Sequence, residues 1–175
     1  MADVPQHLSL KRHRDLQGRS RQPWSRRLLI CLLAAVPALG LAGIFGQQPV
    51  TSVAAGPVAR LQVEAADALR GGLLGQQLFR VTAYSALAHA TLVLDRGWMD
   101  GMQMNTIVPS PLSQTDRPGD RLAMDFGHVP AGRSLVVRIQ FQVNPTTLGS
   151  RPQGVELDDG TRPIVSVHRT LTVFP

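Results

Sequence analysis

Apolar and polar residues alternate with a period of two along most of the chain after residue 58. The clearest run alternates four apolar residues with polar ones: Val137, Ile139, Phe141 and Val143. Shorter runs of the same kind cover residues 60–64, 79–84, 121–126 and 165–173, and further strands are predicted at 90–94 and 102–107. Such alternation is typical of half-buried β-strands. Turn signals separate the runs, so we assign residues 58–175 to an all-β domain, an immunoglobulin-like antiparallel β-sandwich of seven or eight strands.

A different pattern occupies the start of the chain. Residues 28–46 form an uncharged apolar run, and a helix needs about 20 such residues to cross a bilayer. Residues 1–27 carry seven Lys/Arg against two Asp, and we expect them to be a disordered cytoplasmic tail. Positive charge on one side of a span keeps that side in the cytoplasm. The positions that set this orientation are Arg19, Arg21, Arg26 and Arg27.

These patterns predict a single-pass cell-membrane protein with the lipid bilayer as a partner, its N-terminus cytoplasmic and its C-terminal domain extracytoplasmic. A cleaved signal peptide is the alternative, with Val53-Ala54-Ala55 as the small residues at the cleavage point. The apolar core of a signal peptide usually has about 7–15 residues, so the longer run here favours an uncleaved anchor. Residues 47–57 are rich in Gln, Pro, Ser, Gly and Ala, which predicts a short exposed stalk.

The net charge of +6 belongs to the tail rather than to the domain. Residues 47–175 hold eleven Arg against ten Asp/Glu, so the domain is nearly neutral. A DNA-binding face would be strongly basic, and we therefore expect no nucleic-acid partner. The single cysteine, Cys31, lies in the span, so the domain has neither a disulfide nor thiol chemistry.

The stretch 126–137 reads FGHVPAGRSLVV and resembles the strand–turn–strand hallmark of bacterial immunoglobulin-like surface domains. Residues 58–175 as a whole also resemble an uncharacterised family of actinobacterial single-pass membrane proteins. The segments that carry this second resemblance are 69–73, 94–98, 141–146 and 170–175. The resemblance implies an immunoglobulin-like ectodomain and carries no activity with it.

Catalytic and metal-binding motifs are not recognisable in the sequence. His89, His128 and His168 have no metal-ligand spacing with another His or Cys. The chain has no G-x-S-x-G elbow and no phosphate-binding glycine loop. Asp158-Asp159-Gly160 lacks the other ligands of a calcium loop and predicts a plain hairpin turn. We therefore expect a non-enzymatic protein without a cofactor or a small-molecule substrate.

One segment of the domain is unusually rich in methionine and tryptophan: Trp98, Met99, Met102 and Met104. Core packing is the favoured interpretation. Two alternatives stay open, an apolar contact patch for a protein partner and a soft thioether site for Cu(I). The polar, proline-rich stretch 109–120 follows, and we expect an irregular loop there that either binds a partner or only connects two strands.

Arg169 interrupts the alternation, because it falls on the apolar face of the last predicted strand. We expect a β-bulge to turn it outward. An inward arginine would instead need a carboxylate partner, since an unpaired buried charge is costly.

Taken together, the sequence predicts a non-catalytic, membrane-anchored envelope protein whose β-sandwich binds or scaffolds another envelope component. The alternatives are a secreted binding domain and an extracytoplasmic metal-handling or sensor module that uses Met99, Met102 and Met104.

Overall fold

A computed structural model describes residues 22–42 and 48–175 of the chain. The described part contains one helix, α1 (Gln22–Leu41), and thirteen strands. The strands are β1 (Pro49–Ala55), β2 (Ala59–Ala66), β3 (Ala68–Arg70), β4 (Leu74–Ala83), β5 (Ala90–Leu94), β6 (Met102–Val108), β7 (Ser113–Arg117), β8 (Arg121–Asp125), β9 (Ser134–Val143), β10 (Gly149–Pro152), β11 (Val155–Asp159), β12 (Arg162–Val167) and β13 (Thr170–Phe174). The helix and the strands belong to two separate compact units.

Helix α1 is long and apolar enough to cross a membrane. Its window Trp24–Leu41 has a mean hydropathy of 1.5, and none of that window is buried. Twenty residues of helix measure about 30 Å, which matches the hydrocarbon core of a bilayer. The helix begins before the expected start at residue 28, so Arg26 and Arg27 are exposed helical residues. The tail with Arg19 and Arg21 (1–21) and residues 43–47 lie outside the described residues.

The predicted antiparallel β-sandwich is confirmed. Two five-stranded sheets form it: the first sheet has the order β1-β2-β4-β9-β6, and the second sheet has the order β12-β11-β5-β8-β7. A three-stranded third sheet, β10-β13-β3, contains a parallel pair, β13 with β3. Alternate residues of all three sheets meet in one apolar core, which includes Leu61, Phe79, Val81, Ile139 and Phe141 from the first sheet, Leu92, Met124 and Leu157 from the second, and Leu69 and Leu171 from the third.

The strand count exceeds the expected seven or eight partly because segments without alternation also pair. Residues Pro49–Ala55, which the sequence places in an exposed stalk, form β1 and pair with β2 from Pro49↔Ala66 to Ala55↔Arg60. An edge strand needs only backbone hydrogen bonds on one side, and most β1 side chains are exposed. Composition therefore gives no signal for this strand, and the domain starts earlier than residue 58.

The stretch 109–120 likewise contains a strand where we expected an irregular loop. Residues Ser113–Arg117 form β7 and pair with β8 at the edge of the second sheet. Four of its five side chains are exposed, so no apolar face marks it in the sequence.

The expectation that a bulge turns Arg169 outward is wrong. The Arg169 side chain is buried, and its Nη2 lies 2.5 Å from Asp67 Oδ1 and 2.8 Å from the Ala65 carbonyl oxygen. The chain leaves β12 at Val167 and enters the third sheet at Thr170. Burial alternates without a break from Val167 to Leu171, so Arg169 faces inward and meets the carboxylate partner that such a position requires.

Candidate functional site

Trp98 belongs to the core and not to a surface patch. It ends a short 3₁₀ turn, Arg96–Trp98, and its side chain has no exposed area. The rings of Phe79 and Phe141 each have centroids 5.4 Å from the Trp98 ring. The indole Nε1 donates a hydrogen bond to the Gly154 carbonyl oxygen at 3.0 Å. Because all sides of the indole are occupied, Trp98 cannot contact a partner.

Met102 is also buried, with 6% of its surface exposed. It opens β6 opposite Val143, and the Nε2 of the buried Gln153 lies 3.6 Å from its sulfur. Met99 and Met104 are only half buried. The four predicted contact residues therefore divide into two buried core residues and two half-buried residues that pack against the core.

Met99 and Met104 line an open groove of about 500 Å³, which we call the edge groove. Its lining comes from the 98–104 segment, from strands β6, β7 and β8, and from the β6–β7 connection: Met99, Met104, Asn105, Ile107, Ser110, Pro111, Gln114 and Leu122. The lining is mixed, with five apolar and three polar side chains. Such a lining suits apolar side chains of a polypeptide together with a few hydrogen bonds to its backbone.

Both strands that border the edge groove are edge strands. Within the described residues, β6 pairs only with β9 and β7 pairs only with β8. Leu112, which follows the lining residue Pro111, is a large apolar side chain with 75% of its surface exposed. The sequence pointed to two residues of this groove but not to the groove itself, because β6 and β7 belong to different sheets that pattern alone does not bring together.

The outer face of the second sheet carries a buried carboxyl group, Asp158, to which the sequence assigned only a place at a hairpin turn. Asp158 is 1% exposed, and its Oδ2 lies 2.6 Å from Arg117 Nη1. Arg117 Nη2 also donates to the Gly160 carbonyl oxygen at 3.0 Å. Burial raises the pKa of Asp158, and the hydrogen bond from Arg117 offsets this only in part. The arginine thus ties edge strand β7 to the β11–β12 hairpin, which is a structural arrangement.

Other charges near this sheet are paired as well. Arg121 Nη1 lies 2.9 Å from Glu156 Oε2, and His89 Nδ1 lies 3.1 Å from Asp125 Oδ2. The backbone N–H of His89 donates to Asp159 Oδ1 at 2.8 Å. These contacts hold strands and turns together.

The three histidines of the domain lie at different places. His89 contacts Asp125, His128 Nδ1 donates to the Leu87 carbonyl oxygen at 2.9 Å, and the exposed His168 lies between β12 and β13. Among the described residues, no group of three His, Cys, Asp or Glu side chains could hold a metal ion. The 158–160 segment forms the predicted hairpin turn, with Gly160 at φ 65°.

Searches against known proteins found similarity only among solved structures. No family model and no curated protein matches the chain. CaCohA2 from Clostridium acetobutylicum is 10% identical and has a TM-score of 0.46, over 67% of this chain and 92% of that one. The CARDB domain of a Pyrococcus furiosus protein, solved with di-metal ions, is 10% identical at a TM-score of 0.38, over 71% and 93%. A non-cellulosomal cohesin from Archaeoglobus fulgidus is 12% identical at a TM-score of 0.32, over 63% and 88%. Similarities this weak say nothing about ligands or partners of this chain.

Proposed function

We propose that the chain is a non-catalytic envelope protein, anchored by α1 with its N-terminus in the cytoplasm, whose β-sandwich binds another envelope protein through the edge groove. The observation that carries the proposal is the edge groove, an open surface of mixed polar and apolar lining beside two edge strands, which includes Met99 and Met104. The resemblance of residues 58–175 to actinobacterial single-pass membrane proteins agrees with this role. That resemblance stays a prediction.

Helix α1 supports the anchoring part of the proposal. Its large apolar side chains are exposed on all sides, including Leu28, Leu32, Leu33 and Val36. A helix that is apolar all round is stable when lipid or protein surrounds it. The cationic residues at its N-terminal side, among them Arg26 and Arg27, fit an N-terminus that stays in the cytoplasm.

Strand β1 argues against removal of the anchor at the predicted cleavage point. Val53-Ala54-Ala55 forms the second half of β1, and the three residues pair with Gln62, Leu61 and Arg60. Cleavage after Ala55 would remove this edge strand from the first sheet and expose the edge of β2. We therefore favour the anchored form over the secreted one.

The edge groove supports the binding part. Met side chains adapt to differently shaped partners because they are unbranched and flexible. The exposed Leu112, next to Pro111 of the groove, adds apolar area that a partner would cover. Asn105, Ser110 and Gln114 supply hydrogen-bonding groups beside that area. We expect a polypeptide segment with apolar side chains to bind here.

Site-specific photo-crosslinking in intact cells tests this proposal. A photoreactive amino acid at Leu112, beside the groove, is expected to give a discrete crosslinked product. The same amino acid at the exposed Arg162 of β12, at the opposite end of the second sheet, is the matched control and should not give that product.

A groove variant makes the test specific. Met99→Gln with Met104→Gln keeps the side-chain lengths but places amides in the groove, and we expect the Leu112 product to decrease several-fold. The thermal midpoint of the variant shows whether the sandwich remains folded. Equal products from both positions, or a Leu112 product that the folded variant leaves unchanged, would rule out binding through the edge groove.

A further inference from the structure

The outer face of the first sheet, which points away from the core, carries three exposed arginines. Arg60 lies on β2, Arg80 on β4 and Arg138 on β9, and all three are exposed. Each arginine is followed in its own strand by a core residue, which is Leu61, Val81 or Ile139, respectively. The three arginines therefore point away from the core on one face of one sheet.

The strand register places these arginines on a line across the sheet, which we call the arginine diagonal. Arg60 is opposite Thr82, two residues from Arg80. Arg80 is opposite Val136, two residues from Arg138. Diagonal neighbours on adjacent antiparallel strands are about 7–8 Å apart. The diagonal is therefore a row of three cations with a regular spacing.

The arginine diagonal carries more positive charge than its acidic neighbours offset, because Glu64, two residues from the position opposite Arg80, is the one carboxylate beside it in the described part of the chain. Within the described residues, none of the three guanidinium groups forms an ion pair, whereas Arg117 and Arg121 of the second sheet do. The strands of this face contribute one outward-facing acidic residue, Glu64, whose Oε1 accepts a hydrogen bond from Gln62 Nε2 at 2.8 Å. The face thus keeps a positive charge although the domain as a whole is nearly neutral.

Uncharged hydrogen-bonding side chains continue the row beyond Arg138. Gln76 is opposite Gln140, and Gln140 is opposite Thr106. Together with Arg138 and Val108 they line a shallow depression of about 220 Å³. Arg guanidinium groups match the geometry of carboxylate and phosphate oxygens, while amides and hydroxyls bind sugar hydroxyls.

We propose that the arginine diagonal binds a linear anionic glycan, a sugar or polyol chain with a carboxylate or phosphate group on successive units. A flat, open row of regularly spaced cations suits an extended polymer better than a compact ligand, and the adjacent amides suit a polymer rich in hydroxyls. This surface lies on the outer face of the first sheet and is separate from the edge groove, so the two proposals stand independently.

Binding of the full chain in micelles of an uncharged detergent to two anionic polymers tests the proposal. Polygalacturonate presents carboxylates and poly(glycerol phosphate) presents phosphodiesters, so the pair identifies the anion; dextran is the neutral control. The triple variant R60Q/R80Q/R138Q is expected to bind one of the anionic polymers about tenfold more weakly at moderate salt, since each exposed ionic contact contributes modestly.

The N-terminal tail is basic in every variant and contributes the same background. The matched control is R70Q/R96Q/R162Q, which removes three exposed arginines elsewhere on the domain and should stay within about twofold of the natural chain, because exposed charges away from the ligand contribute little. Three outcomes would overturn the proposal. The two triple variants could lose the same amount of binding, the natural chain could bind dextran as well as it binds the anionic polymers, or R60Q/R80Q/R138Q could bind both anionic polymers as well as the natural chain does. Binding to vesicles that contain anionic phosphatidylglycerol is measured in the same way. If R60Q/R80Q/R138Q weakens binding to the vesicles but not to either polymer, the ligand of the arginine diagonal is a membrane surface and the glycan proposal is wrong.

Discussion

Arg169 and Asp67, which are 102 positions apart in the chain, form an ion pair at one end of the sandwich. The Arg169 side chain is 2% exposed, whereas that of Asp67 is 49% exposed. The guanidinium also lies over the Trp98 ring, 6.0 Å from its centroid. Its Nε and Nη1 have no hydrogen-bond partner among the described residues. Asp67 is therefore the main compensation for a positive charge placed next to the core.

Removing this compensation should destabilise the sandwich. We expect Asp67→Asn to lower the free energy of unfolding by about 2 kcal/mol, less than for a fully buried pair because Asp67 is half exposed. Denaturant unfolding can be followed by the fluorescence of the buried Trp98 in a Trp24→Phe background, since the chain has two tryptophans.

The matched control for this pair is Asp120→Asn. Asp120 lies 3.5 Å from Arg96, and both side chains are largely exposed, so we expect a change below about 0.5 kcal/mol. If the two variants lose the same stability, Asp67 does not compensate a buried charge.

Asp158 should give the sandwich a characteristic pH dependence. Burial raises its pKa above the ordinary value of 3.8, so the folded state holds the proton more readily than the unfolded state. The stabilisation from this proton is fully present below pH 3.8 and is lost as the pH rises through the higher folded pKa. We therefore expect the natural chain to lose stability relative to Asp158→Asn as the pH increases over that window.

Chemical unfolding of the natural chain and of Asp158→Asn at several pH values measures this difference. Asp116→Asn is a suitable control, because Asp116 is exposed on strand β7, next to Arg117. If the stability of the natural chain minus that of Asp158→Asn stays constant or increases with pH, the proposed linkage is contradicted.

Gly97 should be hard to replace, because it allows the turn before Trp98 to approach β10. A Cβ at this position would lie 1.7 Å from the Pro152 carbonyl oxygen, which is backbone and cannot move aside. We expect Gly97→Ala to cost about 3 kcal/mol or more through overpacking and displacement of Trp98. Thermal unfolding with near-ultraviolet circular dichroism reports both effects.

Gly132 offers the comparison for that variant. It has a φ of 75° but no atom within 4 Å of an added Cβ, so Gly132→Ala should cost about 1–2 kcal/mol through backbone strain alone. A cost for Gly97→Ala no larger than this would mean that the turn can move away from Pro152.

Most strands that the sequence predicted have one buried face, although β11 was not predicted despite its buried Val155 and Leu157. Val137 to Val143 alternate because every second residue must reach the core. Strands β1 and β7 escaped prediction, since their pairing depends on the backbone and their side chains are mostly exposed. Period-two alternation thus identifies a strand by its burial and gives little signal for an edge strand.

The candidate sites were harder to predict because they depend on register and on contacts between sheets. Trp98 and Met99 are neighbours, yet one is enclosed by aromatic rings and the other lines the edge groove. The arginine diagonal requires the pairing of Arg60 with Thr82 and of Arg80 with Val136, which no local pattern specifies. The partner of Arg169 could be predicted as a carboxylate but not as Asp67.

The orientation of the anchor can be tested with single cysteines, because Cys31 is the only cysteine of the chain. In a Cys31→Ser background, we expect Thr161→Cys, in the exposed β11–β12 turn, to react with a membrane-impermeant maleimide in intact cells. Ser9→Cys, in the basic tail, should react only after permeabilisation.

Replacing Arg19, Arg21, Arg26 and Arg27 together by Gln should reduce labelling at position 161, since these charges favour the cytoplasmic side. Labelling of Ser9→Cys in intact cells, or a quadruple variant with unchanged labelling, would contradict the orientation that we assign to the charges.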